Sequence, residues 1–123
     1  MSHALYHAKS SAKRFGGEPE DYMALHEWLD HTKAHFADAR HRLLLHNSWG
    51  IFLAEQVLGK VLVRASDGKE VPTRTVLERH VLEDLGRIPT LEQCLSQVSL
   101  KPWMYKNAEQ LSTKGEEYLE HTN

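Results

Sequence analysis

The sequence predicts a mainly α single domain, a compact bundle of four to five helices with one small β-hairpin at about residues 60–72. Three observations predict it. The stretch from His31 to His46 has no Gly or Pro and is rich in Ala and Leu. Helix-start signals at Pro19-Glu20-Asp21, Asn47-Ser48 and Thr90 alternate with glycines, Gly59 and Gly86, placed where helices end. The turn Ser66-Asp67-Gly68-Lys69 separates Val61-Leu62-Val63 from Glu70-Val71-Pro72, the pattern of a hairpin. A chain of 123 residues, 41% hydrophobic and 26% charged, supports one packed core and is too short for two.

Taken in order, residues 1–18 read as a flexible lead-in, because Ser10-Ser11-Ala12-Lys13-Arg14 is polar and Gly16-Gly17 breaks a helix. Pro19 starts the first helix, with Glu20 and Asp21 at the positive end of its dipole. It runs through Tyr22, Met23, Leu25, His26, Trp28 and Leu29, and Asp30 ends it or caps the next. A second helix is expected over His31–His46, with Phe36, Ala39 and Leu43 on its core flank. Asn47-Ser48 caps a third, which ends at Leu58 before Gly59. Continuity between these two is left open by the sequence. In the hairpin, Pro72 confines the second strand to an edge. The next helix starts at Thr73 or Thr75 and ends at Leu85, with Leu77, Val81 and Leu85 as its core face. Thr90 caps a short helix over Leu91–Val98, with Gln93 completing a capping box. Pro102-Trp103-Met104-Tyr105 reads as an apolar clasp folded back over the body. Residues 19–105 thus form the globular domain, and residues 106–123 a polar tail or exposed helix.

Composition narrows the function. Fifteen Lys and Arg against seventeen Asp and Glu leave a formal charge of −2, which disfavours nucleic acid as a partner. Cys94 is the single cysteine, so no intrachain disulfide forms. The N-terminal residues resemble no signal peptide, and the apolar runs are too short for a membrane span. The expectation is a cytoplasmic protein without a membrane partner. Walker, Gly-x-Gly-x-x-Gly and Gly-x-Ser-x-Gly motifs are all absent from the sequence, so no phosphate-cradling loop or activated nucleophile is evident.

What remains is the histidine content, nine residues. His3, His7 and His121 lie near the termini and are set aside, and His26 beside Trp28 reads as a core residue. On a continuous helix, His31, His35, Asp38 and Arg42 form one stripe, with His41 beside Asp38 and His46 near the end. His80, Glu83 and Asp84 share a side of the later helix. If the two helices are neighbours, Asp38, His41, His46, His80 and Asp84 converge as metal ligands, since carboxylate and imidazole on facing helices are how bundles hold metals. Such mixed ligands suit a divalent ion, Zn, Mn, Fe or Ni. Glu83 would be a supporting group or general base, and Arg42 would hold an anionic substrate. No His-Glu-x-x-His and no paired cysteines occur, so the metal signal rests on this convergence alone.

The blocks Arg40-His41-Arg42-x3-His46-Asn47-Ser48-x-Gly50-Ile51-Phe52-Leu53 and His80-Val81-x-Glu83-Asp84-Leu85-Gly86-x-Ile88-Pro89-Thr90, with Pro102-Trp103-Met104, resemble a family of small, uncharacterised bacterial and bacteriophage proteins. The resemblance spans residues 20–104 and leaves His31 and His35 outside its motifs. It is to a domain of unknown function, so it implies no activity. It does single out the same Asp38/His41/His46 and His80/Glu83/Asp84 blocks.

The leading expectation is a metal-dependent hydrolase of a phosphate ester. A second is a non-catalytic, phage-encoded binder of a nucleotide-like or other anionic ligand. There Arg40, Arg42, Lys33 and the histidines would be donors, with Trp49 or Trp103 as aromatic walls. A third is an interaction protein that inhibits a host enzyme, and a homo-oligomer is compatible with each.

Overall fold

The computed structural model describes residues 3–105, the His3 side chain excepted. The expected tail over 106–123, with His121, lies outside the described residues. The chain is mainly helical with one small antiparallel hairpin, as the sequence predicts. Its α-helices are α1 (His3–Phe15), α2 (Met23–Leu29), α3 (Arg42–Leu45), α4 (Ser48–Leu58), α5 (Thr73–Leu85) and α6 (Leu91–Leu95). The strands are β1 (Val61–Val63) and β2 (Glu70–Pro72), paired with Leu62 opposite Val71. Single 3-10 turns occupy Pro19–Asp21, His31–Ala34, Ala39–His41 and Pro102–Met104.

The first correction concerns the expected lead-in. Residues 3–15 form the helix α1, which packs on α2 and α5. Ala4, His7, Ala8 and Ser11 make its buried face, spaced three and four residues apart as a helix stripe requires. Small side chains at 4, 8 and 11 allow close approach, and no Gly or Pro interrupts the helix before Gly16. Tyr22 then closes the connection, its fully buried hydroxyl donating to the Gly16 carbonyl at 2.6 Å.

The second correction concerns the long helix over 31–46, which is three short pieces. Asp38 adopts an extended backbone and accepts a hydrogen bond from the Arg40 amide. It acts as an N-cap, a role Asp fills better than a helix interior. His46 leaves helical geometry (φ −84°, ψ 58°), so α3 and α4 are separate. Phe36 and Ala39, expected on a core flank, are exposed. The Pro102–Tyr105 clasp is also overturned: Trp103 is 79% exposed and Met104 is exposed as well. The short helix stops at Leu95 rather than Val98.

Other predicted signals hold. Asn47 caps α4 by accepting from the Gly50 amide at 2.8 Å, Thr90 and Gln93 form the expected capping box, and Gly86 ends α5 at φ 75°. The core brings together Leu25 and Leu29 of α2, Ile51 and Ala54 of α4, Val71 of β2, and Val76, Leu77 and Val81 of α5. Leu85, expected on the core face, is largely exposed.

Gly50 is where α4 approaches the end of α3. A Cβ there would lie 1.9 Å from the Leu45 carbonyl oxygen, and that backbone cannot yield without moving His46. Gly50→Ala is therefore expected to destabilise the fold by about 3 kcal/mol or more. Gly68→Ala, at φ 74° with nothing within 4 Å, should cost only about 1–2 kcal/mol. Urea unfolding of the two variants measures the contrast.

Candidate metal centre

Two helices carry the same His-x-x-x-Asp spacing, His26/Asp30 on α2 and His80/Asp84 on α5. Residues four apart lie on one helix face, and on both helices that face looks inward: His26 and His80 are buried. Asp30 is the residue at which α2 ends, its amide still bonded to the His26 carbonyl. His46 sits at the α3–α4 break and is 0% exposed.

These elements bring Asp30, His46, His80 and Asp84 to one point, with one ligand atom from each lying within 4.8 Å of all the others. His46 Nε2 is 3.0 Å from Asp84 Oδ2 and 3.2 Å from Asp30 Oδ1. His80 Nε2 is 3.2 Å from Asp84 Oδ2 and 3.3 Å from Asp30 Oδ1. Both imidazoles therefore address the same two carboxylate oxygens. Ligands about 2 Å from a tetrahedral ion lie about 3.3 Å apart, close to all four of these spacings. Despite its proximity, His80 Nε2 makes no well-formed hydrogen bond, and Asp30 Oδ2 and His46 Nδ1 have no partner among the described residues. A buried nitrogen pointing between two carboxylates without bonding either is placed as a metal ligand is.

A second layer surrounds this group. The buried His7 ring bonds Glu83 Oε1 through Nδ1 at 2.7 Å and Asp84 Oδ1 through Nε2 at 3.1 Å. Ser10 donates to the other Glu83 oxygen, which also faces Arg79 Nε at 3.3 Å. His26 Nδ1 lies 2.8 Å from His80 Nδ1, and His26 Nε2 lies 2.8 Å from Ser11 Oγ. Arg42, half-buried, holds its Nη2 3.6 Å from Asp84 Oδ1, and its Nε has no partner among the described residues.

The electrostatics follow from burial and pairing. Burial opposes the charge of Asp30, but the His46 and His80 imidazoles beside it override this and pull its pKa down. Asp84 is pulled well below the carboxylate range, burial again being overridden, here by His46, His7 and His80. Burial likewise works against charge on His7 and His46, and their carboxylate partners still raise both. His26 has no carboxylate partner among the described residues. Burial and repulsion from His80 and His7 push it down to about 3.

Of the residues singled out by sequence, His46, His80 and Asp84 meet at this point. His41 is buried beside them, its ring 5.7 Å from that of His46, outside the group of four. Asp38 lies on the surface, paired with Arg40 at 2.8 Å, because the broken helix carries it away from α5. Glu83 has both oxygens engaged by His7, Ser10 and Arg79. His31 and His35 are exposed. In the binding alternative, Arg40 is held by Asp38 and lies over Phe36 at 4.9 Å, and Trp49 and Trp103 face solvent. Sequence reasoning missed Asp30, treated as a helix end, and His7, set aside as terminal. It also missed the polar role of His26. The repeated His-x-x-x-Asp spacing and the Ala4/His7/Ala8/Ser11 stripe were the available signals.

A family model described as a domain of unknown function, DUF6915, matches residues 2–104. The chain belongs to this family. Comparison with curated proteins finds no match, and neither does comparison with solved structures. The matched range includes α1, so His7, Ser10 and Ser11 are part of the family's domain rather than an appendage. Among the described residues, no helix is long and apolar enough to cross a membrane.

The shifted histidines set a pH optimum for the metal-free protein. The unfolded chain protonates His26 near 6.5, whereas the folded chain resists this down to about 3. The unfolded state binds more protons in that window, so stability falls with falling pH, by up to about 1.4 kcal/mol per unit. His7 and His46 act oppositely: their raised folded values stabilise below 6.5, and that contribution is lost as pH rises through them. A maximum near pH 6.5 is expected in Tm measured from about pH 4.5 to 8, and His26→Asn should flatten the acid side. A flat acid side in the unsubstituted chain contradicts this account.

Proposed function

We propose that this protein binds a divalent transition-metal ion through Asp30, His46, His80 and Asp84 and uses it to hydrolyse a phosphate ester. The observation that carries the reading is the set of four nitrogen–oxygen spacings of 3.0–3.3 Å, centred on His46 Nε2 and His80 Nε2. They are close to the edges of a coordination shell with ligands at about 2 Å, as zinc has. Mixed imidazole and carboxylate donors also suit manganese, iron or nickel.

A bound ion held by these residues would supply Lewis acidity and would activate a water. Arg42 supports an anionic substrate. Its Nη2 lies at the outer oxygen of Asp84, its side chain is partly open to solvent, and its buried Nε has no partner among the described residues. A phosphate oxygen is a natural acceptor for such a fork. Glu83, bound on both oxygens, supports Asp84 through His7 rather than acting as a free base.

Protein purified without a His tag and analysed by ICP-MS should carry about one transition-metal ion per chain. With the ion at about 100 times its Kd, stabilisation of about 2.7 kcal/mol is expected, a rise of about 10 °C in Tm. Asp30→Asn and His80→Ala should abolish that rise, whereas Asp38→Asn should leave it intact. Turnover of p-nitrophenyl phosphate should need the ion, and Arg42→Ala should raise KM more than it lowers kcat. Absence of stoichiometric metal, with a Tm indifferent to EDTA and to divalent ions, overturns the proposal.

A further inference from the structure

We infer that His26 positions His80 for metal binding, through a directed hydrogen-bond chain from His80 to His26 to Ser11 of the N-terminal helix. The inference rests on the metal-binding reading above and adds to it the group that holds one ligand in its working form.

Protonation logic gives the chain its direction. His80 Nε2 faces Asp30 and Asp84 at 3.3 and 3.2 Å. To take an ion, that nitrogen must be unprotonated, which places the proton of the neutral ring on Nδ1. His80 Nδ1 is 2.8 Å from His26 Nδ1. Two ring nitrogens at that distance bond only when one donates and the other accepts, so His26 Nδ1 accepts. The proton of His26 then resides on Nε2, which donates to Ser11 Oγ at 2.8 Å. One tautomer of each ring satisfies every contact.

Burial makes the arrangement exclusive. His80 is 0% exposed, and His26 and Ser11 are each 1% exposed, so bulk water does not replace a missing acceptor. His7 stacks on the His80 ring with centroids 3.7 Å apart and planes 19° apart. The stack restrains the ring plane while His26 sets its rotation. His46, by contrast, has no partner for Nδ1 among the described residues, so directed support falls on His80. The acceptor is a neutral imidazole rather than a carboxylate, and the ion keeps more of its charge for a bound ligand.

The test uses the full chain with Zn2+ as the probe, its affinity read by competition with a chelating dye. His26→Phe keeps the bulk and removes the acceptor, and should weaken Zn2+ binding by about 10–100-fold. His26→Asn offers an oxygen where Nδ1 stood and should stay within a few-fold of the unsubstituted protein. On 15N-labelled, Zn2+-loaded protein, NMR should show His80 protonated at Nδ1, His26 protonated at Nε2, and a nitrogen–nitrogen coupling across their hydrogen bond. This last measurement needs no variant, so a misfolded His26→Phe does not block the test. Undiminished affinity in His26→Phe overturns the inference alone, as does His26→Asn weakened as much as His26→Phe. A proton on His26 Nδ1 does the same. Failure of the unsubstituted chain to bind Zn2+, manganese, iron or nickel overturns the metal reading as well.

Discussion

Two carboxylates, Asp30 and Asp84, are held against the same pair of buried imidazoles, and much of the structure is arranged around that constraint. Like charges brought together away from water repel and lose hydration, so the group needs polar or cationic partners close by. His46 and His80 face the carboxylates at the shared point, and His7 and Arg42 face the outer oxygen of Asp84. All of these contacts except His80–Asp84, which lies within α5, join separate elements. Asp30 ends α2, His80 and Asp84 lie on α5, His46 sits at the α3–α4 break, and His7 comes from α1. The polar cluster therefore ties the helices together beside the apolar core of Leu29, Leu77 and Val81.

Such a network is favourable only when satisfied throughout, because an unpaired polar atom in a low-dielectric interior is costly. The second layer meets most of that demand: His7 bridges Glu83 and Asp84, Ser10 and Arg79 hold Glu83, and His26 links His80 to Ser11. Among the described residues, the atoms it leaves without a hydrogen bond include His80 Nε2, Asp30 Oδ2, the outer nitrogen of His46, and the Nε atoms of Arg42 and Arg79. The first of these points at the common centre, where one cation would satisfy both carboxylates and both imidazoles at once. Arg42, beside Asp84, and Arg79, beside Glu83, are cationic groups of this cluster that also reach solvent.

Parts of the fold were legible because they depend on local chemistry. Asn47, Thr90 and Gln93 cap helices by hydrogen bonds to amides three residues away, and Gly86 ends one by adopting a left-handed backbone. The Asp67-Gly68 turn makes its hairpin for equally local reasons. The reading of 31–46 failed where two local preferences competed. The Ala- and Leu-rich composition favours a helix, but Asp38 satisfies the Arg40 amide and restarts the chain there. Asp38 consequently left the candidate ligands, and Asp30 took the place that sequence reasoning gave it. His7 was missed because distance along the chain from the centre was taken as distance in space, whereas α1 returns across α2 and α5.

The sequence by itself determined the fold class, the caps and turns, and the pairing of His80 with Asp84, since each depends on residues within about one helical turn. It also marked His46 as a candidate from its motif. Only the tertiary structure decided which carboxylate faces those histidines, and that His7, His26 and Ser11 stand behind them. The physical reason is that these contacts join residues up to 77 positions apart. No local periodicity encodes such pairings, which arise when α1, α2 and α5 bury one another's inward faces.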